Sequence, residues 1–228
     1  METFDNVQFE LERKRGQRSI RMRVASDGRL VVSAPVSVSK ERILRFVSDN
    51  RSWIEAHVGK VRAFDYSDGE AVPFHGNEVP VMYIPSRGAS SFDGHFIRIH
   101  VAKDTGIDAR KAKLRAFMKD DTLRRGAVRI GFWSAKMGLT MPQLRANNAK
   151  TRWGSCCKGK ISISLSAMCA CLSDDLFDMV CLHEVCHLVH PDHQAGFHDL
   201  MDSLMPDCDE RRKRLGSYSE AHSVRNLL

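Results

Sequence analysis

Residues 173–193 read SDDLFDMVCLHEVCHLVHPDH, and this stretch governs how the rest of the chain is read. Ser173 or Asp174 suits a helix N-cap, and Pro191 marks the helix end, since proline lacks an N–H and clashes with the preceding turn. Between them Leu176, Met179, Val180, Leu182, Leu188 and Val189 make the helix apolar. His183, Glu184 and His187 interrupt that apolar run as H-E-x-x-H. Two histidines four residues apart share a helix face about one turn apart, so their ring nitrogens can converge on one ion. Glu184 is too close along the chain to be the natural third ligand, but it can reach a water held by that ion. Zinc lowers the pKa of such a water to about 7, and a carboxylate can take its proton as it attacks a carbonyl or phosphoryl centre.

Chance alone places H-E-x-x-H in on the order of a few per hundred chains of this composition, so context carries the reading. Two histidines and a glutamate in an apolar helix are costly to bury without a metal or partners. The third ligand is open among His190, His193, His198 and Glu210. His190 shares the helix face but lies roughly 7 Å along the axis beyond the midpoint of the first pair, at about 1.5 Å per residue. His193 follows the Pro191-Asp192 turn, where the chain can reverse and bring the ring back over the helix end, and it is preferred. Glu210 would supply a carboxylate from a later helix. His198 suits packing or a hydrogen bond that orients a ligand.

Working outward, two short helices fit Gln194 to Leu204 and Asp207 to Leu215, and strand-like pieces fit Pro142 to Asn147 and Lys160 to Leu165. A longer helix fits Asp108 to Met137, with apolar positions Leu114, Phe117, Leu123, Val128, Ile130 and Phe132. The first third alternates as half-buried strands do in VQFELER, SIRMRVA and RLVVSAP, with a turn at Ser26-Asp27-Gly28. A helix capped by Ser39 is expected to run to Ala63, and VPFHGNEVPVMYIP and SFDGHFIRIHV read as extended segments with glycine turns. The expected architecture is α+β. A twisted antiparallel β-rich region with a packed helix spans residues 1–105, and a mainly helical metal-hydrolase region spans residues 106–228.

The chain resembles the YgjP-like metallopeptidase family, itself similar to the SprT-like and WLM zincin groups. The residues that carry the likeness are Arg152-Trp153-Gly154-Ser155-Cys156, the HEVCHLVH helix, the stretch from Pro191 to Phe197, and Met205-Pro206-Asp207 with Glu210-Arg211-Arg212 to Leu215. The resemblance implies a zincin-like fold, zinc held by His183, His187 and His193, and Glu184 as general base. It also implies that Arg152 to Cys156 forms a strand or turn beside the active-site cleft. The chain departs from the family pattern at Asp192, His198 and Leu165-Ser166, which touches neither ligands nor base.

Composition narrows the function classes further. The net charge of +7 is spread along the chain and diluted by 28 acidic residues, so it reads first as solvated surface. No stretch approaches the roughly 18 uninterrupted apolar residues of a membrane span, and the first residues lack an apolar signal core, which predicts a cytoplasmic protein with no membrane partner. Seven cysteines without repeated C-x-x-C spacing read as reduced thiols. Trp153 reads as a packing residue, and Arg152 as either an ion-pair residue or a grip on a substrate anion. The leading expectation is a Zn2+-dependent peptidase acting on peptide or protein, with another divalent metal in zinc's place as a variant. The alternatives are a metal-dependent hydrolase of nucleotides or phosphoanhydrides, and a nucleic-acid-associated protein.

Overall fold

In the computed structural model, residues 1–25, 28–58, 62, 64–221 and 224–227 are described. The chain forms two compact units, Met1–Ala63 and Phe64–Leu228. The architecture is α+β, as the alternating and helical stretches predict.

The first unit contains β1 (Glu2–Phe4), β2 (Val7–Lys14), β3 (Arg21–Val24), β4 (Leu30–Pro35), α1 (Lys40–Asp49) and α2 (Arg51–His57). Its sheet has the order β1-β2-β4-β3 and is mixed, not the antiparallel sheet expected. β1 pairs with β2 and β3 with β4 antiparallel, but β2 and β4 run parallel, Phe9 opposite Leu30. The physical reason lies in β4, where Leu30, Val31, Val32, Ala34 and Pro35 are buried, so the strand needs neighbours on both edges and cover on both faces. The helix expected from Ser39 is two helices. Ser39 accepts from the Arg42 N–H, and Asn50 breaks the run by donating its side-chain amide to the Phe46 carbonyl. The expected helix end at residues 59–61 and 63 lies outside the described residues, as do Ser26 and Asp27 of the expected turn.

The second unit opens with β5 (Ala71–Phe74), β6 (Asn77–Pro85), β7 (Ser91–Phe92) and β8 (Ile97–Val101), in the order β5-β6-β8-β7. These strands, expected with the N-terminal region ending near residue 105, bury Val72, Phe74, Val81, Ile97 and Ile99 against Leu114, Phe117 and Met118 of α3 (Ile107–Lys136). Then follow β9 (Gln143–Asn147), β10 (Gly154–Cys157), β11 (Ser162–Ser166), α4 (Asp174–Val189), α5 (Ala195–Leu204), α6 (Cys208–Ala221) and α7 (Val224–Leu227). A second sheet has the order β10-β11-β9, with β10 antiparallel and β9 parallel to β11. α6 runs past the expected end at Leu215. Among the described residues, no helix is long and apolar enough to cross a membrane.

α4 is the axis of this unit. Leu176, Phe177, Met179, Val180, Cys181, Leu182, Val185 and Cys186 are all buried, so the helix is enclosed on more than one face. Its start is held from two directions. The β5–β6 turn donates the His75 and Gly76 N–H groups to the Ala170 and Cys171 carbonyls, and a Cβ on Gly76, at φ +80°, would lie 2.7 Å from that of Ser173. From α3, Arg129 Nε and Trp133 Nε1 both donate to Asp178 Oδ1 at 2.6 Å. Ser173 occupies the N-cap position, but its hydroxyl donates to Asp175 Oδ1 at 2.5 Å instead of accepting from the backbone.

α3 lies flush on the second sheet at Gly126, where a Cβ would meet Leu165 Cδ1 at 2.9 Å and Leu144 Cδ2 at 3.2 Å. At Gly131 the nearest atom is Met141 Sδ at 3.7 Å, an ordinary contact. Gly126→Leu should therefore lose about 2 kcal/mol by overpacking, whereas Gly131→Ala should gain up to about 1 kcal/mol from helix propensity. Thermal or denaturant unfolding of the two variants checks the opposite signs.

Candidate metal centre

His183 and His187 project from adjacent turns of α4, as four-residue spacing requires. The helix stops at Val189, and His190 has left helical geometry at φ −112°, ψ 104°. The following Pro191-Asp192 turn carries His193 back over the helix end. The three Nε2 atoms converge: His183 Nε2 lies 3.2 Å from that of His187 and 3.2 Å from that of His193. All three candidate ligand atoms lie within 4.8 Å of one another, the only such metal-ligating group among the described residues.

The remaining candidates lie elsewhere. His190 packs against Gly196, where a Cβ would meet its Cε1 at 2.9 Å. The ring of His198 sits edge-on to Phe197, 5.6 Å between centroids. Glu210 is exposed on α6 and is not part of the cluster.

The cluster is oriented from behind. His187 Nδ1 lies 3.0 Å from the His190 carbonyl, so the N–H belongs on Nδ1 and the Nε2 lone pair faces the other rings. Phe197, on α5 and fully buried, stacks on His187 at 4.7 Å and meets His183 and His193 edge-on at 4.9 and 4.8 Å. Burial, reinforced by the two neighbouring imidazoles, pushes the His183 pKa down to about 3. Burial also lowers that of His193. The His183 and His193 rings are therefore held toward the neutral form, the one that ligates a metal.

Glu184 sits on the inner side of the same helix at 5% exposure. Its Oε2 is buried with no hydrogen-bond partner among the described residues, and burial raises its pKa to about 7, the nearby Arg152 guanidinium pulling the other way. β10 crosses directly over it. A Cβ on Gly154 would lie 2.4 Å from Glu184 Oε1, so only glycine lets the strand pass this close. Trp153, next to it, packs partly buried between the two apolar clusters, and its carbonyl accepts from the Ser166 N–H and from Cys169 Sγ. Arg152 itself is exposed.

Gly154, Ser155, Cys156, Lys158, Pro191 and the four site residues line an open cleft of about 270 Å3. Lys158 donates from Nζ to the Val189 carbonyl at 2.8 Å, capping α4 at its negative end. All seven cysteines are free, which agrees with reduced thiols. Sequence reasoning passed over Gly154, Phe197 and Lys158 as parts of the site. Gly154 stands in the Arg152–Cys156 motif, the one signal that could have found it.

A model of the YgjP-like metallopeptidase domain matches residues 18–218. The chain belongs to that family. None of the curated proteins compared matches the chain. For a YgjP-like metallopeptidase domain, hydrolysis of peptide bonds with a metal cofactor is the expected chemistry. The residues present fit a metal. Nitrogens about 2.0 Å from a tetrahedral zinc are about 3.3 Å apart, close to the two 3.2 Å separations. One N–H on His183 Nε2 cannot be shared well by both 3.2 Å contacts, whereas a single cation between the rings accepts the lone pairs of all three.

The buried carboxylate has a consequence for stability. Its folded pKa, about 7, lies above the ordinary value of 4.5, so the folded state holds the proton more tightly. Stability from this group is full below pH 4.5 and is lost as pH rises through 7, about 3 kcal/mol in all at 1.36 kcal/mol per unit. Metal-free Glu184→Gln should accordingly melt higher than the metal-free parent at about pH 8, with the gap closing near about pH 5. His183, whose depressed pKa costs stability in acid, is common to both proteins and cancels. An equal gap at both pH values would contradict the assignment.

Proposed function

We propose that the protein is a zinc-dependent peptidase in which His183, His187 and His193 hold the ion and Glu184 is the general base. The observation that carries this reading is the unpaired buried oxygen of Glu184 beside three converging imidazole nitrogens. A bound zinc supplies a Lewis acid that lowers the pKa of a coordinated water and polarises the scissile carbonyl. Glu184 takes the proton of the attacking water at Oε2 and passes it to the leaving amine. A carboxyl with a pKa of about 7 is suited to both transfers near neutral pH. Gly154 holds the strand against the carboxylate, and the His190 carbonyl holds the His187 ring in its ligating tautomer.

A peptide substrate is supported by β10. It is the edge strand of its sheet, without a strand partner on its other side among the described residues, and its residues line the cleft. An extended peptide laid along that edge would hydrogen-bond through its backbone.

Three variants test the roles separately. Glu184→Gln should retain the metal and cleave casein or a peptide library about 10²–10⁴-fold more slowly; unchanged cleavage would remove Glu184 as the base. Gly154→Ala should also keep the metal and lose about 10²-fold in kcat, through displacement of the carboxylate. His193→Ala, at an exposed loop position, should fold normally and weaken metal binding by more than about 100-fold in chelator competition. One tightly held ion in that variant would exclude His193 as a ligand.

A further inference from the structure

A second concavity in the 64–228 unit shares no residue with the metal cleft. It lies at the carboxyl ends of β6 and β8, which run parallel with Pro85 opposite Val101. Such strand ends leave a crevice between the outgoing loops, a recurrent place for ligands. Here the loop after β6 contributes Ser86, Arg87 and Gly88, β8 contributes His100, the segment after it Lys103, and α3 contributes Lys113. The volume is about 460 Å3, within the roughly 300–1,000 Å3 of small-ligand pockets.

Its electrostatics are one-sided. Arg87, Lys103 and Lys113 come from three separate segments, and no acidic residue lines the pocket with them. None of the three forms an ion pair among the described residues. The histidine is built in, not incidental. Ser86 Oγ lies 2.9 Å from His100 Nδ1, which leaves Nε2 as the ring nitrogen open to a ligand. The loop then closes on the ring so tightly that a Cβ on Gly88 would sit 2.7 Å from Cε1 and Nδ1. Bringing like charges together in a concavity raises the local positive potential, which attracts an anion and is relieved by one. Guanidinium and ammonium donors together match the several oxygens of a phosphate group.

We propose that this pocket binds a phosphate-type oxyanion through Arg87, Lys103, Lys113 and His100. The shared chemistry covers a free phosphate or monoester and the phosphodiester of a nucleic-acid strand. The test titrates sodium phosphate into the metal-loaded, full-length protein at low ionic strength, by calorimetry or amide chemical shifts. It is repeated on Arg87→Glu/Lys113→Glu and on the milder Arg87→Gln/Lys103→Gln. These side chains are exposed, so both double variants should melt with the parent; if one does not, the other is read.

Phosphate should bind the parent and bind the variants at least about tenfold more weakly. Absence of binding up to about 10 mM phosphate, or equal binding by the variants, overturns the proposal. In the second case the ion sits elsewhere, for example at the three histidines. A single-stranded oligonucleotide of about 12 residues distinguishes the sources. Affinity above that of phosphate, lost in the same variants, assigns a polymer backbone; affinity no higher assigns a free phosphate or monoester.

Discussion

The buried carboxylate of Glu184 is the constraint around which the second unit is organised. It stands on a helix whose neighbouring positions, Val180, Cys181, Leu182, Val185 and Cys186, are all buried, and one of its oxygens has no hydrogen-bond partner among the described residues. Enclosing a charge without a partner is among the most expensive things a fold can do. That cost is visible as a pKa raised to about 7. It is tolerated because the group faces a cleft that holds three imidazoles and is crossed by a glycine backbone. A dication held by uncharged ligands would give this carboxylate the counter-charge its surroundings lack. The same ion would accept the imidazole lone pairs, so one ligand would satisfy both groups at once.

The C-terminal end of α4 performs two tasks with one break in the backbone. A residue before proline is pushed out of helical conformation, and His190 accordingly ends the helix. Its carbonyl, turned away from the helix ladder, then accepts from His187 Nδ1. The chain leaving Pro191 also returns His193 to within 3.2 Å of His183. A histidine still on the helix could do neither, since its carbonyl would point along the axis and its ring would lie a turn too far on. Lys158 caps the same end through the Val189 carbonyl, tying the turn after β10 to the helix.

What was legible in the sequence follows the range of each interaction. His183, Glu184 and His187 are brought together by helix periodicity, and His193 by a turn that starts directly after the helix end at Val189, so local rules sufficed. The ends of α4 were readable for the same reason, from an N-cap residue and proline, and the span of α3 from its apolar periodicity. Strand partnership was not. That β4 sits centrally and parallel to β2, or that the β5 to β8 sheet packs on α3, depends on which distant surface buries which apolar run. Period-2 alternation says nothing of this. The role of Phe197 at the site was not legible because an aromatic in the first turn of a short amphipathic helix looks like any core residue; only its contact with three imidazole rings distinguishes it.

The lining of the cleft limits how a substrate can be recognised. Gly154, Ser155 and Cys156 present small side chains on the β10 wall, and the space of about 270 Å3 is open to solvent. That lining contains no large apolar residue, so specificity of the sort that reads one large apolar side chain has little to act on. Backbone hydrogen bonds along an edge strand read something different, namely whether a segment can be extended and stripped of its own partners. On the proposed peptidase reading, selection would therefore fall on chain conformation before side-chain identity. A segment already paired in a sheet or wound in a helix has its N–H and C=O groups engaged, and opening it costs free energy that an edge of only four residues, Gly154–Cys157, does little to return.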